Sequence, residues 1–106
     1  MHAEKKNYFK SLFKDQSKAQ EIINAMEAEI IDPKTFECRL KRPQGTIASI
    51  LLACRNAELF IYPAKEIEYK DLIEFAEKSF GVIIESIETF KKKKKTPVNF
   101  GFQIKS

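Results

Sequence analysis

The feature of the sequence with the clearest chemistry is a run of five consecutive lysines, Lys91, Lys92, Lys93, Lys94 and Lys95. Clustered ammonium groups displace the counterions condensed on DNA or RNA, so this lysine run predicts nucleic-acid binding that is sequence-independent and weakened by salt. Arg39, Lys41 and Arg42 would extend the patch if their segment lies nearby. The alternatives are a solvated tip that keeps a sheet edge from aggregating, a nuclear address, and a contact with an anionic membrane.

Residues that commonly build catalytic or metal sites are sparse. The sequence has one histidine, His2, and two cysteines, Cys38 and Cys54, and their spacing fits neither a nucleophile–base pair nor a zinc site. Glu85 and Glu88 form a possible carboxylate pair, but no neighbour in sequence would tune their pKa values. We therefore predict a protein that is not an enzyme, with no cofactor, no metal and two reduced thiols.

The charge distribution singles out the lysine run. The 106 residues carry a net charge of +4, and subtracting the five lysines of the run leaves −1. The remainder of the chain is thus nearly neutral. There is no uncharged stretch long enough to span a membrane and no apolar core of a secretory signal, which predicts a cytoplasmic protein.

Residues 1–30 are predicted to be a helical segment in two pieces. The first piece places an apolar group on one helical face, formed by Tyr8, Phe9, Leu12 and Phe13. Ser17 and Gln20 fit a capping box at the start of the second piece, and Asp32-Pro33 ends it. The apolar face of the first piece either covers the rest of the fold or docks on a protein partner or a second copy.

The rest of the chain is predicted to form five strands and one further helix. Alternating polarity or β-branched runs indicate strands, and a 3.6-residue period followed by Gly81 indicates the helix. Pro43-Gln44-Gly45 suits a turn between the first two strands. The apolar run 46–55 fits either a strand, which the short connections favour, or a buried helix. The predicted strands are 35–41, 46–55, 59–62, 82–90 and 98–105, with the helix at 68–80 and a lysine-rich hairpin tip at 91–97.

The predicted architecture is a single α+β domain over residues 1–106. Its element order is α-β-β-β-α-β-β, with an antiparallel sheet and the helices on one face of it. The favoured function is a non-catalytic protein-interaction module, such as a small regulator, adaptor, inhibitor or immunity-type protein. The alternative is a nucleic-acid-binding protein that uses the lysine run.

Overall fold

The regular elements of the protein are helices. A computed structural model describes residues 2–95 and 101–104. In those ranges the elements are α1 (His2–Ser11), α2 (Gln16–Glu29), α3 (Pro43–Asn56), α4 (Tyr69–Phe80) and α5 (Glu88–Lys95), with a short 3₁₀ turn at Ala64–Glu66. The predicted α+β fold is wrong: the described residues contain two isolated β-bridges but no strand and no sheet.

The two predicted N-terminal helices and the helix over 68–80 correspond to α1, α2 and α4. The start of α2 differs from the prediction, because Asp15 caps it by accepting a hydrogen bond from the Ser17 amide at 2.8 Å. Asp15 satisfies one of the amides that the first turn leaves without a helical acceptor. At the end of α4, Gly81 has the predicted left-handed conformation, with φ of +69°.

The apolar run 46–55 is helical and lies within α3. Pro43 occupies the first turn of α3, where its fixed φ suits a helix and its missing N–H costs no hydrogen bond. The predicted turn at residues 43–45 is therefore the beginning of a helix. Every residue from Ile47 to Leu52 is buried, because α3 packs against both α4 and α5. A helix buried on several sides has the same uniform apolar pattern as a central strand.

The predicted strand at 35–41 is interrupted at Phe36. This residue has a left-handed φ of +58°, and its side chain is 1% exposed. The chain folds back around it, with the Asp32 amide donating to the Glu37 carbonyl and the Arg39 amide to the Ile30 carbonyl. The segment forms a single bridge, between Cys38 and Ile31, and not the predicted pairing with residues 46–55, which are helical.

The predicted strand at 59–62 is likewise reduced to one bridge, between Phe13 and Phe60. The Lys14 amide donates to the Leu59 carbonyl at 3.0 Å, and the Ile61 amide donates to the Leu12 carbonyl at 2.7 Å. These bonds join the α1–α2 loop to the segment after α3. The bridge is isolated and does not extend into a ladder.

The predicted strand at 82–90 divides into an irregular segment and the start of α5. Burial alternates at first, with Val82 and Ile84 inside and Ile83 outside. Val82 and Ile84 pack in the core of the helical fold and not in a sheet. From Glu88 onward the chain is helical. Most of the last predicted strand, 98–105, lies outside the described residues. Residues 101–104 of it form no strand, and Phe102 and Ile104 pack against the core.

Phenylalanine rings form the centre of the core where α1 meets α4. Phe9 contacts Phe13 and Phe80 with ring centroids 5.0 Å apart, and Phe80 stacks on Phe36 at 5.5 Å. A second branch runs from Phe13 through Phe60 to Phe75. Edge-to-face and offset contacts of this kind add to the free energy of burying the rings. The rings connect α1, α4 and both bridged loops into one body.

Candidate nucleic-acid interface

The lysine run occupies the second half of α5. Phe90, directly before it, is fully buried, and its ring stacks on Tyr69 with centroids 5.6 Å apart and an interplanar angle of 6°. This contact and the packing of α5 on α3 fix the base of the run. The predicted hairpin tip at 91–97 is therefore wrong for residues 91–95, which are helical, and residues 96 and 97 lie outside the described part of the chain.

Helical geometry distributes the five lysines around α5, since successive side chains are about 100° apart. Lys91, Lys92, Lys94 and Lys95 are exposed, whereas Lys93 is half-buried. Lys93 follows the anchor Phe90 by three residues and therefore lies on the packed side of the helix. Consequently most of the run faces solvent from a helix held against the protein body.

The lysines interact favourably with the carbonyl end of α5, and they present a strongly positive surface to solvent. Cations in the last turn complement the partial negative charge of the carbonyl end of the helix. Lys91 also pairs with Glu88, Nζ to Oε1 at 3.4 Å. The ammonium groups of neighbouring lysines repel each other. An anion that bridges two of them relieves this repulsion, so the cluster attracts anions.

The three basic residues predicted to extend the run lie in other parts of the fold. Arg39 follows the turn after α2, where its guanidinium donates to the Glu27 carbonyl at 3.3 Å. Lys41 and Arg42 are exposed in the connection that leads into α3. Their predicted proximity to the lysine run depended on adjacent strands that the described residues do not contain.

The apolar face predicted as a protein interface faces the core. Phe9, Leu12 and Phe13 are between 0% and 5% exposed, and only Tyr8 is half-buried. The Lys78 Nζ lies 5.8 Å from the centre of the Tyr8 ring, and burial raises the pKa of its phenol. Of the two roles that the sequence allowed for this face, covering the rest of the fold is the one observed.

A basic cleft at the beginning of α4 is a feature that the sequence did not reveal. It has a volume of about 510 Å³ and is lined by Arg55, Lys65, Ile67, Glu68, Tyr69, Lys70 and Ile87. Its cations come from the end of α3, the 3₁₀ turn and the first turn of α4. Arg55, Lys65 and Lys70 are five to fifteen residues apart and follow no motif, so only the fold could bring them together.

An acidic cleft of about 360 Å³ lies on the other side of Ile67, which lines both clefts. Its other lining residues are Tyr62, Glu66, Asp71, Glu74 and Phe75. The lining has three carboxyl groups and no cation, although Lys78 reaches Glu74 from the next turn of α4. The surface around the beginning of α4 is thus divided into a positive side and a negative side.

Large apolar side chains are exposed at four positions. Ile83 is the most exposed at 65%, followed by Tyr62, Ile61 and Ile87. Ile61 and Tyr62 follow the Phe13–Phe60 bridge, whereas Ile83 and Ile87 lie in the irregular segment before α5. Isolated exposed apolar residues are ordinary on protein surfaces. Four of them on two connections provide apolar groups that a protein partner could contact.

Both cysteines are free thiols. Cys54 is fully buried in α3, Cys38 is half-buried, and burial raises the pKa of each. Within residues 2–95 and 101–104, no cluster of three metal-ligating side chains occurs, and no helix is long and apolar enough to cross a bilayer.

Comparison with known proteins gives no family assignment. No protein-family model, curated protein or solved structure matches this chain.

Proposed function

We propose that this protein is a non-catalytic binding module whose ligand is nucleic acid, held through the lysine run. The observation that supports the proposal is the presentation of four exposed lysines on α5, a helix anchored by Phe90 and Tyr69. A fixed cluster binds phosphates with less loss of side-chain and backbone freedom than a free tail does. We expect the protein in the cytoplasm, where its thiols stay reduced.

The charge balance determines which surface a polyanion approaches. The chain without the run has a net charge of −1, so the run is the principal source of attraction. Each phosphate neutralised by a lysine releases condensed counterion, and the logarithm of the binding constant falls with the logarithm of salt concentration. For up to five phosphates we expect a slope between about −3 and −5.

The test is fluorescence anisotropy with labelled DNA and RNA at about 50 and about 200 mM salt. Changing all five lysines of the run to glutamine should reduce affinity by about 100-fold or more at the lower salt concentration. Glutamine has a similar helix propensity, so the thermal melt should change little.

A matched pair of variants controls for net charge. Lys94→Gln/Lys95→Gln should reduce the magnitude of the slope of log binding constant against log salt concentration by about two. Lys14→Gln/Lys34→Gln removes the same charge from two exposed positions outside α5 and should leave the slope unchanged. Equal effects of the two variants would show that only net charge matters and would refute the assignment to α5.

A protein partner is the second candidate function, as a small regulator, adaptor, inhibitor or immunity-type protein would require. The supporting observation is the exposure of Ile83, Ile87, Ile61 and Tyr62, since the N-terminal aromatic face is buried. Such residues would form the apolar centre of an interface. This candidate replaces the first if the wild-type protein binds no nucleic acid at low salt.

A further inference from the structure

The basic cleft adjoins the first turn of α5. Ile87 lies on its rim, and the Ile87 carbonyl accepts a hydrogen bond from the Lys91 amide at 3.3 Å. One helical turn therefore separates the edge of the cleft from the first member of the lysine run. A strand of nucleic acid bound along α5 would therefore have the cleft within one helical turn of Lys91.

The charges around the cleft favour a polyanion on this side of Ile67. Arg55, Lys65 and Lys70 contribute three positive charges against one negative charge from Glu68, which pairs with Lys70 at 3.1 Å. The adjacent acidic cleft would repel phosphates. A strand leaving α5 is thus directed into the basic cleft and away from its neighbour.

The cleft also has an apolar and aromatic lining, which phosphates alone do not require. Ile67, Tyr69 and Ile87 provide it, and the stack on Phe90 fixes the plane of the Tyr69 ring. Arg55 is held in place as well, because its Nε donates to the Ala64 and Ile67 carbonyls at 3.0 and 2.9 Å. The lining is therefore preorganised for a flat apolar group flanked by negative charge.

We propose that the basic cleft receives an unpaired base of a single-stranded nucleic acid whose backbone follows the lysine run. This inference rests on the proposed function and specifies the ligand. A nucleobase with its phosphate matches an apolar and aromatic lining rimmed by cations. In a duplex the bases are paired and stacked, so they cannot enter the cleft, and only phosphate contacts with α5 remain.

Three probes of about ten nucleotides separate base contacts from phosphate contacts. They are a single strand, a duplex, and a strand with the same phosphates but no bases. The wild-type protein should bind the single strand at least about fivefold more tightly than the abasic strand. Ile87→Ala should reduce that preference, because it removes part of the apolar rim.

A charge variant tests the cleft separately from α5. Lys65→Gln/Lys70→Gln should weaken binding of the single strand more than binding of the duplex. The control is Lys14→Gln/Lys34→Gln, whose positions line neither cleft. Urea unfolding of each variant verifies that the fold is intact.

The outcomes distinguish this inference from the proposed function. Equal binding of base-bearing and abasic strands, or no effect of Lys65→Gln/Lys70→Gln, would overturn the cleft assignment. The nucleic-acid function would stand if the five-lysine variant still lost affinity in the anisotropy titration. Absence of wild-type binding to all three probes would overturn both.

Discussion

At the residue scale, burial and charge define what individual side chains can do. Phe9 and Phe13 are of a residue type that is common in interfaces, but they are buried in the core. Four of the five lysines of the run, by contrast, are exposed on α5. Arg55 would be a mobile cation elsewhere, yet two backbone carbonyls hold its guanidinium at the basic cleft. The environment in the fold, more than residue type, separates structural from functional groups here.

Cys54 provides a prediction about stability at alkaline pH. Burial raises the pKa of its thiol far above the ordinary value of 9.0. Above about pH 9 the thiol ionises in the unfolded chain but stays protonated in the folded one, so the free energy of unfolding decreases as pH rises. Cys38 and Tyr8, whose pKa values are also raised, act in the same direction.

Denaturant titrations at several pH values between about 8 and 10.5 measure this effect. The slope from one such thiol approaches about 1.4 kcal/mol per pH unit above its unfolded pKa. Cys54→Ala should be less stable at pH 8 but lose less stability at higher pH. An identical pH slope in the variant and the wild type would contradict the burial of this thiol.

At the element scale, the helices with their own local signals could be predicted from the sequence. The apolar period of α2 and the glycine that follows α4, Gly81, are signals of this kind, and both predictions are confirmed. The local pattern failed at α3, because a buried helix and a central strand share one composition. It failed at Phe36 because tertiary burial overrides the alternation around that residue.

The candidate site was predictable only in part, for the same physical reason. The five adjacent lysines are evident from the sequence alone. Four of them are exposed in α5, although a hairpin tip was predicted there. The basic cleft was not predictable, since Arg55, Lys65 and Lys70 belong to three different elements. Their proximity depends on the packing of α3 and α4, which local sequence patterns do not encode.

Two glycines test the assignment of residues 43–56 to a helix. Gly45→Ala, in the first turn of α3, should stabilise the protein by about 0.5–1 kcal/mol, because glycine is a poor helix former. Gly81→Ala should cost about 1–2 kcal/mol, since φ of +69° disfavours a Cβ. The Lys5 ammonium, 3.3 Å from that Cβ, can move aside.

Urea unfolding of the two glycine variants gives both values. If residues 43–45 formed a turn before a strand, Gly45→Ala would be destabilising. A loss of stability at Gly45 would therefore contradict the start of α3. Gly81→Ala serves as the control in which a loss is expected.

At the scale of the whole molecule, charge is unevenly distributed over a helical body. One helical turn separates the lysine run from the rim of the basic cleft, and the basic cleft shares Ile67 with an acidic cleft. The exposed Ile83 lies in the connection before α5. The partner surface shares Ile87 with the basic cleft, whereas Ile61, Tyr62 and Ile83 lie outside that cleft, so mapping of these three residues separates the two candidate functions.

The most direct measurement is amide proton–nitrogen correlation spectroscopy of the protein during titration with a short single-stranded oligonucleotide at low salt. We expect shift changes in Glu88–Lys95 and around Lys65 and Lys70, which fade as salt is added. Unchanged spectra, or changes centred on Ile61 and Ile83 instead of α5, would contradict the nucleic-acid function.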